Sequence, residues 1–181
     1  MSNYSTFDTF EELVKDRRKS NSSALIDNAA WDHALTLFYN MLEVASDKEK
    51  SVRIITGSMN RDFYCDSGIT DRLKKIMGEN IAIEIIVAND PAMDLNLHPC
   101  ASMIDAYEHG KILIAKPAIA SPHMLLIGDD ASCFRFEVDH TQAKAKASFN
   151  NSILGSSLNE LYETTRSIIS SSDNGNLQEA A

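Results

Sequence analysis

The segment that is most informative about the fold is PHMLLIGDDASCFRFEVDHTQAKAKASFN, residues 122–150. An apolar run at 123–128 and an alternating run at 133–139 each predict a strand. The residues DDAS between them favour a hairpin turn. In the second strand the two phenylalanines should point to one face, and Arg135 and Glu137 to the other.

The segment that follows this hairpin is rich in alanine and lysine. Residues 142–147 read QAKAKA, and both residue types are strong helix formers. We therefore expect a short helical segment here, interrupted by the FNN of residues 149–151. A longer amphipathic helix is predicted over residues 153–170, because its apolar residues recur at helical spacing.

Three more strands are predicted upstream, at residues 52–57, 81–88 and 111–117. Helical segments separate them, and strands that alternate with helices are typical of a parallel sheet. We therefore predict the α/β class, with a mostly parallel or mixed central sheet of about five strands and helices on both faces.

The clearest helix of the first half is predicted over residues 24–45. Its apolar residues recur every three or four positions, which marks one buried face. Trp31, the only tryptophan, falls on that face and is expected to be buried. Further helices are predicted at about 68–77 and from Pro99 to about His109.

The chain divides into three predicted regions. Residues 1–23 should form an N-terminal helix and linker, residues 24–169 one α/β domain, and residues 170–181 a disordered tail. A chain of 181 residues is long enough for a single domain with its own core. The polar, small residues of the tail offer little apolar surface to bury.

Composition and charge narrow the possible functions. With 26 acidic and 17 basic residues, the chain carries a net charge of −9, which disfavours broad contact with nucleic acid. The three cysteines form no CxxC pair, so we predict neither a metal site nor a disulfide framework. No segment has the pattern of a signal peptide or a membrane span, and no cofactor-binding motif is present. A cytoplasmic protein without cofactor is expected.

One motif in the segment 122–150 has a family resemblance. His123 is followed seven residues later by Asp130, and this spacing resembles the His-x-Lys-x4-Asp motif of the phospholipase D superfamily. In that family the histidine is the nucleophile that attacks a phosphodiester, the lysine neutralises the phosphate and the aspartate supports the histidine. Here the lysine position holds Leu125, and no second copy of the motif is present.

The resemblance extends to other parts of the chain. The strand at 52–57 with Asn60 and Tyr64 after it is similar to the first strand and loop of small phospholipase D-like domains, and so is the ending around Asn150. The resemblance implies a degenerate, catalytically inactive phospholipase D-like single domain. It also implies homodimerisation, because the family pairs its domains around the motif.

The candidate site residues follow from these patterns. Catalytic candidates are His123, Asp130 and Arg135, whose guanidinium could replace the missing ammonium. Thr56, Gly57 and Ser58 follow a strand end, where open α/β sheets place their ligands, and could bind an anion through backbone amides. With Asn60 and Asn150, which come from the resemblance, the predicted ligand-binding set is Thr56, Gly57, Ser58, Asn60 and Asn150.

Three functions remain open. The leading prediction is a non-enzymatic binding, accessory or regulatory protein that acts through homodimerisation or a protein partner. The alternative is a phosphodiesterase or nuclease that uses His123 as nucleophile. A third is a nucleic-acid-binding regulator that acts through the basic cluster at residues 15–19. A nucleophilic Cys100 next to His98 is a weaker possibility, because a helix start can lower a thiol pKa.

Overall fold

The computed structural model describes residues 9–139 and 144–175. Their helices and strands alternate along the first half, and strands dominate the second. In chain order the elements are α1 (Phe10–Lys19), β1 (Ile26–Asn28), α2 (Trp31–Asp47), β2 (Val52–Thr56), α3 (Arg61–Tyr64), α4 (Ser67–Gly78), β3 (Ile83–Val87), a 3₁₀ turn (Leu95–Leu97), α5 (Pro99–Asp105), β4 (Gly110–Ile114), β5 (Met124–Ile127), β6 (Cys133–Asp139), β7 (Lys144–Ser148) and α6 (Ser152–Gly175).

One mixed sheet of seven strands forms the centre, in the order β1-β7-β6-β5-β2-β3-β4. Only β2, β3 and β4 are parallel to each other, and helices connect them as crossovers. From β5 onward every pairing is antiparallel. The expected α/β class is confirmed, but the expectation of about five strands is wrong, because β1 and β7 extend the sheet.

Two buried clusters lie on opposite faces of this sheet. Successive strand residues alternate between them, so Ile54 and Ile85 belong to one cluster and Ile55 and Ile86 to the other. Helices α1, α2, α4 and α5 contribute side chains to the first cluster, and α6 contributes to the second. The prediction of helices on both faces is therefore confirmed.

The predicted hairpin is present between β5 and β6. Its register pairs Leu125 with Arg135 and Leu126 with Phe134. Phe134 and Phe136 lie with the cluster on the α6 face, as the alternation predicts, while Arg135 and Glu137 project to the other face. This hairpin carries most of the site described below.

The segment 144–148 is a strand, so the helix expected over residues 142–147 is wrong for its described part. Each strand edge of β7 is paired, with β6 on one side and with β1 on the other. Alanine and lysine are weak determinants of conformation, and the hydrogen bonds of two neighbouring strands outweigh their helix propensity. Residues 140–143 lie outside the described part.

The helix expected over residues 24–45 begins only at Trp31, because Ile26–Asn28 pairs with β7 as a strand. Trp31 is therefore the first residue of α2 rather than a residue of its middle. Its side chain is 52% exposed, so the expectation that it is buried is wrong. At the start of the helix the indole contacts Phe63 and leaves about half of its surface to solvent.

The two ends of the described chain adjoin the domain directly. Leu13 and Val14 of α1 are buried in the same cluster as α2, and a capping box of Thr9 and Glu12 begins the helix. At the other end α6 continues to Gly175, so the first residues of the expected tail are helical. The remainder of that tail, residues 176–181, lies outside the described part.

Candidate functional site

A cavity of about 830 Å³ opens beside the carboxyl end of β2. Its floor is the end of the β5–β6 hairpin, and one wall is the first half of α2. The loop before β5 and the segment after β2 complete it. The lining residues used below are Trp31, Phe38, Thr56, Gly57, Ser58, Asn60, Phe63, Tyr64, His123, Arg135 and Glu137.

His123 lies in the floor of this cavity with its side chain 25% exposed. The backbone N–H of Gly57 donates a hydrogen bond of 2.9 Å to its Nε2. Its Nδ1 lies 3.3 Å from a carboxylate oxygen of Glu137, across the hairpin. Nε2 therefore carries the lone pair, and the Nδ1 proton faces the carboxylate.

Gly57 has to be a glycine for this contact. A Cβ at this position would lie 2.8 Å from Nε2 of His123, closer than nonbonded atoms tolerate. The missing side chain lets the imidazole approach the backbone after β2. The hydrogen bond between the Gly57 backbone and the His123 side chain thus joins the end of β2 to the start of β5.

Glu137 also binds the guanidinium of Arg135. The Arg135 Nη1 to Glu137 Oε1 distance is 3.0 Å, and Nη2 donates to the Asn28 side-chain oxygen at 3.3 Å. Arg135 is only 5% exposed, and its Nε has no hydrogen-bond partner in the described structure. The positive charge at the base of the cavity is therefore neutralised by an adjacent carboxylate.

Leu125 projects into the core on the same face of the sheet. Its side chain is fully buried, and the register places it directly opposite Arg135 on the next strand. A cation on β6 thus stands beside the position where the resembled motif has its lysine. Arg135 and His123 line the same cavity, as the hypothesis that Arg135 replaces the lysine requires.

The ligand-binding candidates after β2 line the cavity, but their polar groups serve the fold. The Thr56 hydroxyl donates to the Ser58 carbonyl at 2.7 Å. The Asn60 side chain accepts from the backbone N–H groups of Asp62 and Phe63 and so caps α3. The N–H of Gly57 is used by His123. The backbone anion site expected here is thus occupied by an imidazole nitrogen.

Asp130 and Asn150 lie away from this cavity. Because β5 runs antiparallel to β2, its far end meets the start of β2, and there Lys50 binds the Asp130 carboxylate at 3.0 Å. Burial opposes ionisation of Asp130, but hydrogen bonds from Lys50 and Ser132 outweigh it and lower the pKa of the carboxyl. Asn150 follows β7 at the same edge of the sheet. Neither residue contacts His123.

An aromatic wall closes the side of the cavity opposite the loop. Trp31 and Phe38 of α2 both pack edge-to-face against Phe63, with ring centroids 5.3 and 4.8 Å apart. Tyr64 is buried behind them, and this burial raises the pKa of its hydroxyl to about 12. The wall is therefore apolar and uncharged at neutral pH, and Trp31 is its most exposed ring.

The other sequence candidates have structural roles. In the basic cluster at residues 15–19, Lys15 pairs with Glu11, and Arg18 binds both Glu43 and Asp47 of α2. His98 caps α5 through Nδ1, while its Nε2 contacts the Met59 carbonyl at 2.8 Å.

The structure contradicts the weaker possibility of a lowered thiol pKa at Cys100. Its side chain is buried, and burial raises the pKa of the thiol to about 12. A thiol in this state is not a nucleophile at neutral pH.

Sequence analysis did not assign Glu137 and Asn28 to the site. The contact of Glu137 could have been predicted, because a hairpin with its loop at residues 128–132 pairs position 123 with position 137. For Asn28 no such prediction was possible, because its contact depends on β1 pairing with a strand 117 residues away. Trp31 was assigned to the core because the helix start was placed too early.

Comparison with protein-family models, curated proteins and solved structures finds no match for the chain. Within residues 9–139 and 144–175, no cluster of His, Cys, Asp and Glu side chains is arranged to hold a metal ion. In the same ranges, no helix has the length and apolar character that crossing a membrane requires.

Proposed function

We propose that the chain is a degenerate phospholipase D-like domain that acts as a cytoplasmic binding or accessory protein. It accepts a ligand, or a short segment of a partner, in the cavity around His123 and does not hydrolyse phosphodiesters. The observation that carries the proposal is the pairing of Glu137 with both Arg135 and His123.

This pairing leaves no free positive charge among the described residues of the cavity to bind a phosphate. Phosphoryl transfer depends on unneutralised positive charge that stabilises the phosphoryl oxygens. Arg135 already shares its charge with Glu137, and Leu125 offers none. The Nε2 lone pair of His123, which would have to attack phosphorus, already accepts the hydrogen bond of Gly57.

What remains is a cavity of the size that small ligands occupy, with an apolar wall and a few polar groups. Trp31 and Phe63 offer flat apolar surface, and Ser58 is among the polar residues of the lining. We therefore propose an uncharged or weakly charged ligand with a planar or apolar part. Self-association is part of the same proposal, on the basis of the family resemblance.

One observation favours a second candidate function, a phosphodiesterase. Arg135 lies on the same face of the sheet as His123 and is paired with position 125. If the Glu137 side chain moved away, the Arg135 guanidinium would be available to a phosphate. In that case His123 would be the nucleophile. The nucleic-acid-binding alternative is less supported, because Lys15 and Arg18 are held in ion pairs.

A turnover assay separates the two candidates. The wild-type chain and the His123→Ala variant are incubated with bis-p-nitrophenyl phosphate at equal concentrations. We expect no release of nitrophenolate above background from either protein. Turnover by the wild type that is lost in His123→Ala and reduced in Arg135→Gln would overturn the proposal in favour of the phosphodiesterase.

The cavity itself can be tested with the single tryptophan. The dye 1-anilinonaphthalene-8-sulfonate binds apolar cavities and accepts energy from a nearby indole. We expect saturable quenching of Trp31 emission, and weaker binding after Ala34→Met, which fills part of the cavity. Leu97→Ala removes an exposed apolar side chain elsewhere and should leave the titration unchanged. Equal binding by Ala34→Met would contradict the proposal.

A further inference from the structure

One flank of α6, beside the residues that face the sheet, carries an unusual concentration of exposed apolar side chains. Seven large hydrophobic residues are exposed in the described structure, and four of them belong to this helix: Ile153, Leu154, Leu161 and Ile168. Three of the four, at 154, 161 and 168, are spaced by seven residues. They are 38–51% exposed and therefore form one line along the helix.

The orientation of α6 is fixed by its other side. Leu158, Tyr162 and Ile169 are buried against the sheet. Tyr162 donates a hydrogen bond of 2.8 Å to Glu84 of β3, and Arg53 of β2 donates to Asn159 at 2.5 Å. Because the helix cannot rotate without breaking these contacts, the exposed line cannot turn into the core.

Small residues alternate with the large ones along this line. Ser157, Thr164 and Ser171 follow the three large residues at three-residue spacing, and all three are exposed. Positions spaced alternately by three and four residues are those that meet a second helix. We call this set the α6 stripe: Leu154, Ser157, Leu161, Thr164, Ile168 and Ser171.

We propose that the α6 stripe binds the α6 stripe of a second copy of this chain, with the two helices antiparallel about a two-fold axis. In this arrangement Leu154 of one copy meets Ser171 of the other, Ile168 meets Ser157, and Leu161 meets Thr164. Every layer then combines one large and one small side chain, which fills space evenly. The order of large and small residues is self-complementary only when the second helix runs antiparallel to the first.

A parallel pair would not pack in this way. It would place Leu161 against Leu161 and Thr164 against Thr164, so that layers of two large side chains alternate with layers of two small ones. Voids beside the small residues lose contacts. The two-fold antiparallel arrangement is also isologous, so it closes after two copies and does not produce filaments.

The charges along α6 fit a second copy better than a lipid surface. The exposed Glu160 flanks the stripe, and in the antiparallel pair it lies near Ser167 of the other copy rather than near another Glu160. Over residues 152–171 the helix has two acids, Glu160 and Glu163, and the single cation Arg166. Helices that lie on membranes carry a polar face rich in cations instead.

This dimer leaves both cavities open. His123 lies on the face of the sheet that α2 covers, and α6 covers the other face. The α6 dimer therefore differs from the dimer that the family resemblance implies. In that dimer two domains would pair around the motif, and their cavities would face each other. The inference does not depend on what the cavity binds.

The stripe is short, so the dimer should be weak. From 154 to 171 it spans about 26 Å at a rise of about 1.5 Å per residue. A stable complex usually buries about 800 Å² on each partner, and one helix face of this length offers less. We expect a monomer–dimer equilibrium that sedimentation velocity resolves between about 1 and 100 μM, the range of weak complexes.

Sedimentation velocity on the full chain is the first test. The wild type should shift toward the dimer as concentration rises, and Leu161→Glu and Ile168→Glu should each remain monomeric with an unchanged circular dichroism spectrum. Leu97→Glu places the same charge on an exposed leucine outside α6 and should dimerise as the wild type does. A wild type that is monomeric throughout, or a dimer that persists in Leu161→Glu, would overturn the inference.

A second test reports the direction of the helices. Chains with Leu154→Cys and chains with Ser171→Cys should form a disulfide-linked heterodimer when they are mixed under mild oxidation. Each chain alone should cross-link far less, and Thr164→Leu should weaken the dimer because it overfills a layer. Efficient cross-linking of Leu154→Cys alone would indicate parallel helices and contradict the proposal.

Discussion

His123 is the residue on which the site depends, and two of its contacts come from different strands. The Gly57 N–H holds Nε2, and Glu137 faces Nδ1. The first contact requires the ring to lie close to the backbone after β2, and the second is made across the β5–β6 hairpin. The imidazole is thus a structural link across the end of the sheet as well as the centre of the cavity.

Replacing Gly57 with alanine tests this link. The new Cβ would lie 2.8 Å from Nε2, so the ring has to move and its hydrogen bond is lost. We expect Gly57→Ala to lower the free energy of unfolding by about 1–3 kcal/mol, the usual cost of overpacking. Urea unfolding followed by Trp31 fluorescence measures it.

Gly78→Ala is the matched control for this substitution. Apart from its chain neighbours and the backbone of its own helix, no atom lies within 4 Å of a Cβ at Gly78, at the end of α4, so the added methyl meets open space. There the change should be neutral or stabilising by up to about 1 kcal/mol, since alanine is the better helix former. If both variants were equally stable, the close contact at Gly57 would not matter.

Thiol reactivity provides a second prediction at the residue scale. Burial raises the pKa of Cys100 and of Cys133 to about 12, so both thiols stay protonated up to alkaline pH and are shielded from reagents. Cys65 is only half-buried. At pH 8 Ellman's reagent should therefore modify one thiol of the native chain quickly and all three after denaturation. Rapid modification of all three native thiols would contradict the burial.

The residues of the cavity were only partly predictable. His123 was found from its motif spacing and Arg135 from its charge inside a strand. Arg135 and Glu137 were predicted to point to the same face of their strand, which is confirmed, but the contact of Glu137 with His123 requires the register of the hairpin. Asn28 could not be found, because a three-residue strand carries almost no periodic signal.

At the scale of elements, α6 is anchored by polar contacts as well as by apolar packing. The hydroxyl of Tyr162 is buried and donates to Glu84, whose carboxylate also binds Arg166 at 2.8 Å. Burial, together with the Glu84 charge, raises the pKa of Tyr162, so the hydroxyl remains a donor at all physiological pH values. The helix is thereby fixed in one rotation on the sheet.

Tyr162→Phe tests this anchor. Glu84 then loses a buried donor, and we expect the free energy of unfolding to fall by about 1–2 kcal/mol. The same substitution at Tyr107, whose hydroxyl donates to the Ile81 carbonyl at 3.2 Å in a more exposed position, should cost less than about 1 kcal/mol. Equal effects in thermal or urea unfolding would show that the hydrogen bond to Glu84 contributes no more stability than the one to the Ile81 carbonyl.

The elements differ in how well local sequence specifies them. The helix over 67–78 and the strand over 83–87 were predicted closely, because caps and an unbroken apolar run mark them. Residues 144–148 became a strand against their helix propensity, since β1 and β6 supply hydrogen bonds on both edges. Such long-range pairing cannot be deduced from a local pattern.

At the scale of the whole molecule, strand direction decides which candidates meet. The parallel half of the sheet brings the loop after β2 to the cavity, as sequence analysis expected from the strand ends. The antiparallel half places His123 at that edge and Asp130 at the opposite one. Asn150 is separated from the cavity for the same reason, and the expectation of a mostly parallel or mixed sheet does not specify the strand that precedes it.

The charges around His123 neutralise each other, and we propose that they leave a cavity that binds a ligand and does not hydrolyse phosphodiesters. The most direct measurement is mass spectrometry of the peptide that contains His123, after the wild-type chain is quenched during incubation with bis-p-nitrophenyl phosphate. We predict that this peptide keeps its unmodified mass. A phosphoryl adduct on His123, absent from the His123→Ala chain, would contradict the claim.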